Sequence, residues 1–134
     1  MARTRLVALL LVPLAFLLMG SSKVALVDPD PIQVPAGVRI QDVARAIRTG
    51  LSSRHWMVTK DENNQIEAVL NVPEHMLKVS IPYSTTSVSI KYVDSQNLDY
   101  SEMKGVKYIH EKWVGWTRNM RADIQRELQL VTVK

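Results

Sequence analysis

Residues 65–81 read QIEAVLNVPEHMLKVSI, and this stretch decides the fold of the chain. Apolar side chains occupy every second position on both sides of Pro73-Glu74-His75, which predicts two antiparallel strands joined by a tight turn. The same period of two continues outward over residues 55–93 and predicts a meander of four strands. Lysines and serines alternate with the apolar residues in the last two strands, so we expect one buried and one solvent-exposed sheet face.

Helical spacing appears on both sides of this meander. From Ile40 to about Ser53, Val43, Ile47 and Leu51 recur every four residues and predict an amphipathic helix. A second helix is predicted from Ile109, and its apolar stripe should lie in the core. That stripe consists of Trp113, Trp116, Thr117, Met120, Ile124 and Leu128.

The segments before and after the meander complete the predicted order of elements. Ile32 and Val34 alternate with Gln33 between prolines, which is typical of a short edge strand. The connection from Asp94 to Lys107 is polar and predicts a long loop, and long ordered loops are often functional. The sequence therefore predicts an α+β fold: an antiparallel meander sheet of four to five strands with two helices packed on one face, in the order β-α-β-β-β-β-α.

The N-terminal 22 residues have the parts of an export signal. Arg3 and Arg5 give a basic start, residues 6–19 are apolar, and Gly20 and Ser22 supply small side chains for a signal peptidase. The apolar run is shorter than the ~20 residues of a membrane-spanning helix. We therefore expect cleavage after Ser22 and a periplasmic product; the alternative is an uncleaved anchor, the one expected link to a membrane.

The expected division of the chain is a signal peptide at 1–22, a linker at 23–31 and a single α+β domain at 32–134. The linker is predicted from Asp28-Pro29-Asp30-Pro31, because two prolines disfavour a helix. The signal is lipoprotein-like at Leu18-Met19-Gly20, yet Ser21 stands where a lipidated cysteine would follow. We therefore expect no lipidation at this position.

Composition restricts the classes of function. With 134 residues, 46% hydrophobic and 22% charged, the chain matches one globular domain. The absence of cysteine excludes disulfides and thiolate chemistry. Removing Arg3 and Arg5 from the 17 basic residues leaves 15 against 13 acidic residues, a balance that argues against a nucleic-acid partner.

No sequence motif for catalysis or for a cofactor is present. His55, His75 and His110 lack metal-ligand spacing, and the residues Asp94, Asn97 and Asp99 lack the calcium-loop pattern. We therefore predict no cofactor, no metal site and no catalytic residues. The helix arginines alternate with acidic residues, Asp123 among them, and this pattern favours solvated helix faces.

A series of spaced residues between 71 and 124 forms a pattern of its own: Asn71, Val72, His75, Val79, Ile81, Tyr83, Ile90, Tyr92, Asp94, Ser95, Asn97, Leu98, Tyr100, Ile109, His110, Trp116, Asn119, Met120, Asp123 and Ile124. In this pattern the chain resembles a family of small proteobacterial exported proteins, mostly lipoproteins, whose function is uncharacterised. The resemblance implies a cell-envelope location and implies no reaction.

The sequence thus predicts a non-catalytic periplasmic or envelope protein that acts as a binding or interaction module. Its expected partner is an envelope protein or a cell-wall component. The candidate interaction surface combines the solvent-exposed sheet face with the predicted loop, through Asp94, Asn97, Asp99, Lys78 and Lys91. The alternatives are a small periplasmic hydrolase with an unrecognised site and a periplasmic inhibitor or immunity-type protein.

Overall fold

The computed structural model describes residues 22–132, so the predicted signal peptide lies outside the described residues except for Ser22. The described chain contains nine strands and two helices, and the α+β prediction is confirmed. In chain order the elements are β1 Lys23–Ala25, β2 Ile32–Gln33, α1 Ile40–Ser52, β3 Met57–Glu62, β4 Gln65–Val72, β5 His75–Pro82, β6 Ser87–Val88, β7 Lys91–Gln96, β8 Ser101–Met103, β9 Val106–His110 and α2 Lys112–Thr132.

The largest sheet has the strand order β3-β4-β5-β7, and all of its pairs are antiparallel. Its hairpins follow from the local sequence. Asn63 and Asn64 both have positive φ, as a two-residue hairpin turn of type I′ requires. Pro73 followed by Glu74 at φ 71° fits a type II turn, in which the second central residue is left-handed.

The last strand of the predicted meander is split in two. Residues 87–88 form β6 and pair with β2, the predicted edge strand, in a two-stranded sheet. The chain then enters β7, which returns to the large sheet beside β5. The alternation of apolar residues from Val88 to Tyr92 is continuous, so the change of partner cannot be read from the local sequence.

The long loop predicted from Asp94 to Lys107 is wrong for most of its length. Strand β7 continues to Gln96, and β8 and β9 form a hairpin around Lys104 and Gly105, both with positive φ. These strands were missed because much of their surface is exposed, so their side chains show little apolar alternation. Polar composition here marks exposed strands and tight turns.

Residues 23–31, predicted as a linker and called here the N-terminal arm, are part of the folded domain. Strand β1 pairs with β9 and completes a three-stranded sheet of order β1-β9-β8. The Trp113 indole Nε1 donates to the Val27 carbonyl at 3.1 Å, and the Tyr92 backbone N–H donates to Asp28 Oδ1 at 3.0 Å. Prolines keep the rest of the arm extended without separating it from the domain.

One hydrophobic core joins the large sheet to both helices. Its members include Ile66, Leu77 and Val79 from the sheet, Ile47 from α1 and Ile124 from α2. The helices approach closely at Gly50, where an added Cβ would lie 3.0 Å from the Ile124 backbone nitrogen. Within residues 22–132, neither helix combines the length and apolar character needed to cross a membrane.

Candidate functional site

A cavity of about 420 Å³ opens where the end of α1, the end of β4 and the first half of α2 meet. We call it the Trp56–Trp116 cavity. Its apolar wall combines these two tryptophans with Leu70 and Val72, and its polar rim combines Ser53, Arg54, His55 and Asn119. The volume lies within the range of about 300–1,000 Å³ that is usual for small-ligand sites.

The end of α1 places three consecutive rim residues beside the cavity. His55 has φ 68°, its backbone N–H donates to the Ser52 carbonyl, and the Trp56 N–H donates to the Leu51 carbonyl. This is a Schellman motif, which usually has glycine at the left-handed position. The turn directs the chain into β3 and buries Trp56, which is 6% exposed.

Helix α2 forms the opposite wall of the cavity with side chains that lie beside its buried stripe. Trp113 is 1% exposed, whereas Trp116 is partly buried and packs against the edge of the core. The prediction that both tryptophans lie in the core is therefore correct for Trp113 and wrong for Trp116. Three positions along a helix rotate a side chain by about 60°, enough to turn Trp116 toward the cavity.

The prediction that Asp123 lies on a solvated helix face is also wrong, because this residue is 3% exposed. Its carboxylate accepts hydrogen bonds from Arg54 Nε at 2.6 Å, from Arg126 Nη1 at 3.3 Å and from Ser53 Oγ at 3.3 Å. A buried carboxylate needs such partners to offset its lost hydration. The ion pair joins the turn after α1 to α2 and fixes Arg54 at the rim.

The polar rim is open to solvent: Ser53, Arg54 and His55 are exposed and Asn119 is half-buried. Among residues 22–132, the side chains of His55 and Asn119 make no hydrogen bond, and Arg54 uses its Nε alone. Of the residues that the structure describes, an arginine and a histidine line the cavity and no carboxylate does. Unused donors above an apolar wall are the arrangement expected of a site for a ligand that carries acceptor oxygens.

A second cavity of about 450 Å³ lies between the N-terminal arm and α2, and it differs from the first in its polar groups. Arg121 on its wall already donates to the Asp30 and Pro31 carbonyls at 2.9 and 3.3 Å. Asp28 accepts from the Tyr92 backbone. These bonds hold the arm on the domain. We therefore interpret this cavity as a gap between two packed segments and not as a ligand site.

The five residues of the sequence-predicted interaction surface fall into two groups. Lys78, Lys91 and Asp94 lie on the open face of the large sheet, where Lys78 is paired with Asp94 in register and Lys91 with Ser80. The Lys78 ammonium also forms an ion pair with Glu67 at 3.3 Å. Asn97 and Asp99 have positive φ and lie in the turn after β7.

Asn97 has a structural contact that leads toward the cavity. Its Nδ2 donates to the Glu74 carbonyl at 2.7 Å, and its own carbonyl accepts from His75 Nδ1 at 2.7 Å. The His75 ring contacts Trp116 edge to face, with centroids 6.1 Å apart. Asn97 thus fixes the β4–β5 turn and, through His75, the outer side of Trp116.

The three histidines occupy separate positions. His55 ends α1, His75 Nε2 accepts from the Lys112 ammonium at 3.1 Å, and His110 Nδ1 accepts from the Lys112 backbone N–H at 3.1 Å. Within the described part of the chain, no three potential metal-ligating side chains are grouped.

Tyr92 is the centre of an aromatic cluster outside the cavity. Its ring stacks on Tyr100 at 5.3 Å and meets Trp113 edge to face at 5.7 Å. Burial raises the pKa of the Tyr92 hydroxyl above 10.0, and the nearby Asp94 raises it further, although the hydrogen bond with Ser95 lowers it. The cluster joins β7 to the buried Trp113 of α2.

Comparison with known proteins gives no match for this chain, whether with a protein family, a curated protein or a solved structure. The resemblance to exported proteobacterial proteins therefore stays a prediction.

Sequence reasoning missed the cavity because its walls come from separate parts of the chain. Residues 53–56, 70–72 and 116–119 meet only after folding. One local signal was present: Ser53-Arg54-His55 follows the last apolar residue of a helix and contains no glycine or asparagine, although the helix must end there.

Proposed function

We propose that this protein is a non-catalytic binding module of the bacterial cell envelope and that the Trp56–Trp116 cavity is its ligand site. The observation that carries the proposal is the pairing of an apolar tryptophan wall with the unused polar groups of Arg54, His55 and Asn119. The predicted export signal and the resemblance to exported proteins support the envelope location.

The cavity favours a binding role over a mainly structural one for these residues. Arg54 is 52% exposed and lines the cavity, and its bond to Asp123 uses Nε. Asp123 fixes that arginine from behind, so the guanidinium is held in place before a ligand arrives. Such preorganisation reduces the entropy lost on binding.

Native mass spectrometry tests the proposed function. The chain beginning at Lys23 is dialysed against the fraction of a periplasmic extract below about 2 kDa and then desalted. We expect a discrete mass increase that Trp116→Ala abolishes and that Val114→Ala, on an exposed position of α2, retains. No mass increase, or one retained equally by Trp116→Ala, would contradict the proposal.

The location is tested separately. N-terminal sequencing of the protein from a periplasmic fraction should give Lys23 as the first residue. A product that keeps Met1 and sediments with membranes would instead support the uncleaved anchor.

A further inference from the structure

The rim of the Trp56–Trp116 cavity has a chemical bias that narrows the class of ligand. Its ionisable lining residues are Arg54 and His55, and Asn119 adds an amide with two N–H donors. Within residues 22–132 no carboxylate lines the cavity, and the nearby Asp123 bonds to Arg54 Nε without lining it. The rim therefore offers donors to a negatively charged group.

The orientation of Arg54 favours a planar oxyanion. With Nε bound to Asp123 at 2.6 Å, the two terminal nitrogens are the donors that remain for a ligand. Two parallel N–H donors match the two oxygens of a carboxylate. Because Asp123 already compensates part of the arginine charge, a monoanion fits this rim better than a dianion.

The apolar wall adds a requirement for the rest of the ligand. Trp116 is partly exposed at the cavity, and Leu70 and Val72 extend its surface. An aromatic or saturated ring can stack on an indole, whereas a fully hydrated ion such as acetate would leave this surface in water.

We propose that the cavity binds a small monoanion in which a carboxylate is attached to a ring, with the carboxylate on Arg54 and Asn119 and the ring against Trp116. This inference rests on the proposed function and specifies its ligand class. In it, Asp123 is a positioning residue: it touches no ligand and holds the guanidinium at the rim.

Three probes of similar shape test the charge requirement: 1-naphthoate, 1-naphthalenemethanol and 1-naphthylmethylamine. Each is titrated at constant ionic strength into the chain beginning at Lys23, and binding is followed by NMR through the Trp116 indole and Arg54 Nε–H signals. We expect 1-naphthoate to bind about tenfold or more tightly than the alcohol, as one charge-assisted hydrogen bond allows, and the amine to bind most weakly.

Four variants assign that preference to residues. Arg54→Gln should bring the acid-to-alcohol affinity ratio close to one, and Trp116→Leu should weaken both probes to a similar degree. Asp123→Asn should reduce the ratio, because losing the acceptor that orients the Arg54 guanidinium outweighs the gain in net positive charge at the rim. Arg126→Gln is the matched control, because Arg126 bonds to the same carboxylate but does not line the cavity, so it should keep the wild-type ratio.

The failures of the two proposals are distinguishable. Equal binding of acid and alcohol, with both weakened by Trp116→Leu, would overturn the carboxylate inference and leave the cavity as a ligand site. Equal loss of the ratio in Arg54→Gln and Arg126→Gln would overturn it as well, since general surface charge would then explain the preference. If none of the probes binds, the carboxylate inference is wrong, and the proposed function is judged by native mass spectrometry alone.

Discussion

At the scale of single residues, His55 combines a backbone cost with a place at the cavity rim. A non-glycine residue in the left-handed region costs about 1–2 kcal/mol, and the fold accepts this cost where glycine would end the helix more easily. Six other described non-glycine residues also have positive φ, and of all seven only His55 lines the Trp56–Trp116 cavity. The residue is therefore the clearest place to separate stability from binding.

His55→Gly should raise the free energy of unfolding by about 0.5–1 kcal/mol. Glycine removes most of the backbone strain of the folded state, but it also increases the entropy of the unfolded chain, which offsets part of that stabilisation. Urea denaturation followed by circular dichroism measures the change. His55→Ala is the control, since it removes the imidazole but keeps the Cβ and should bring no such gain. A lower urea midpoint for His55→Gly would contradict the strain argument.

Tyr92 gives the structure a pH-dependent element. Its pKa in the folded state is raised above 10.0, mainly by burial. Because this pKa is raised, the contribution of Tyr92 to the free energy of unfolding is fully present below pH 10. It is lost as the pH rises through the folded-state pKa.

The free energy of unfolding should therefore fall as the pH rises above 10, and Tyr92→Phe should make that fall smaller. Urea midpoints across this range, with tyrosinate absorbance recorded on the same samples, provide the measurement. An equally steep fall in Tyr92→Phe and in the wild type would show that other groups control the alkaline limit.

At the scale of elements, the contact between α1 and α2 depends on one small residue. Gly50 faces the backbone of Ile124, which cannot move aside as the end of a flexible side chain can. Gly115 in α2 has nothing within 4 Å of its would-be Cβ. The two glycines therefore form a matched pair.

Gly50→Ala should destabilise the domain by about 1–3 kcal/mol, because the forced separation of the helices outweighs the better helix propensity of alanine. Gly115→Ala should stabilise it by about 0.5–1 kcal/mol, because that propensity acts without a clash. Thermal unfolding of both variants tests the pair. If both substitutions stabilise, the close approach at Ile124 is not a constraint on the fold.

Differences in periodicity explain why the helices and strands were easier to predict than the strands with which they pair or the elements on which they pack. The two helices and the central hairpin have strong periodicity, so their existence followed from residues such as Val43 and Ile47 in α1 and Leu77 and Val79 in β5. The hairpin of β8 and β9 lacks that pattern because it is mostly exposed. Its turn at Lys104-Gly105 was visible only as a single glycine.

At the scale of the whole molecule, the N-terminal arm packs across the domain and bonds to elements that are distant in sequence. It supplies β1 to the small sheet, accepts the Trp113 indole N–H at Val27 and receives two bonds from Arg121. The arm also connects the domain to the predicted export signal. Cleavage before Lys23 would keep residues 23–31 but remove the Ser22 carbonyl, which accepts the Glu111 backbone N–H at 2.8 Å.

A chain truncated to begin at Ile32 should be less stable by roughly 3 kcal/mol or more than one that begins at Lys23, because β9 loses a neighbour and the buried Trp113 loses its acceptor. Differential scanning calorimetry of the two chains measures this. Equal midpoints would restore the interpretation of residues 23–31 as a linker.

The sequence alone determined the α+β class, both helices, the central hairpins and the burial of Trp113, because these depend on periodicities and turn residues that act within a few positions. Only the tertiary structure decided the split of the meander, the docking of the arm, the burial of Asp123 and the existence of the cavity. Each depends on contacts between distant parts of the chain, such as Arg54 with Asp123 and Trp113 with Val27. Local patterns carry no information about which partner a polar side chain will meet after folding, so the site became visible in the fold and not in the sequence.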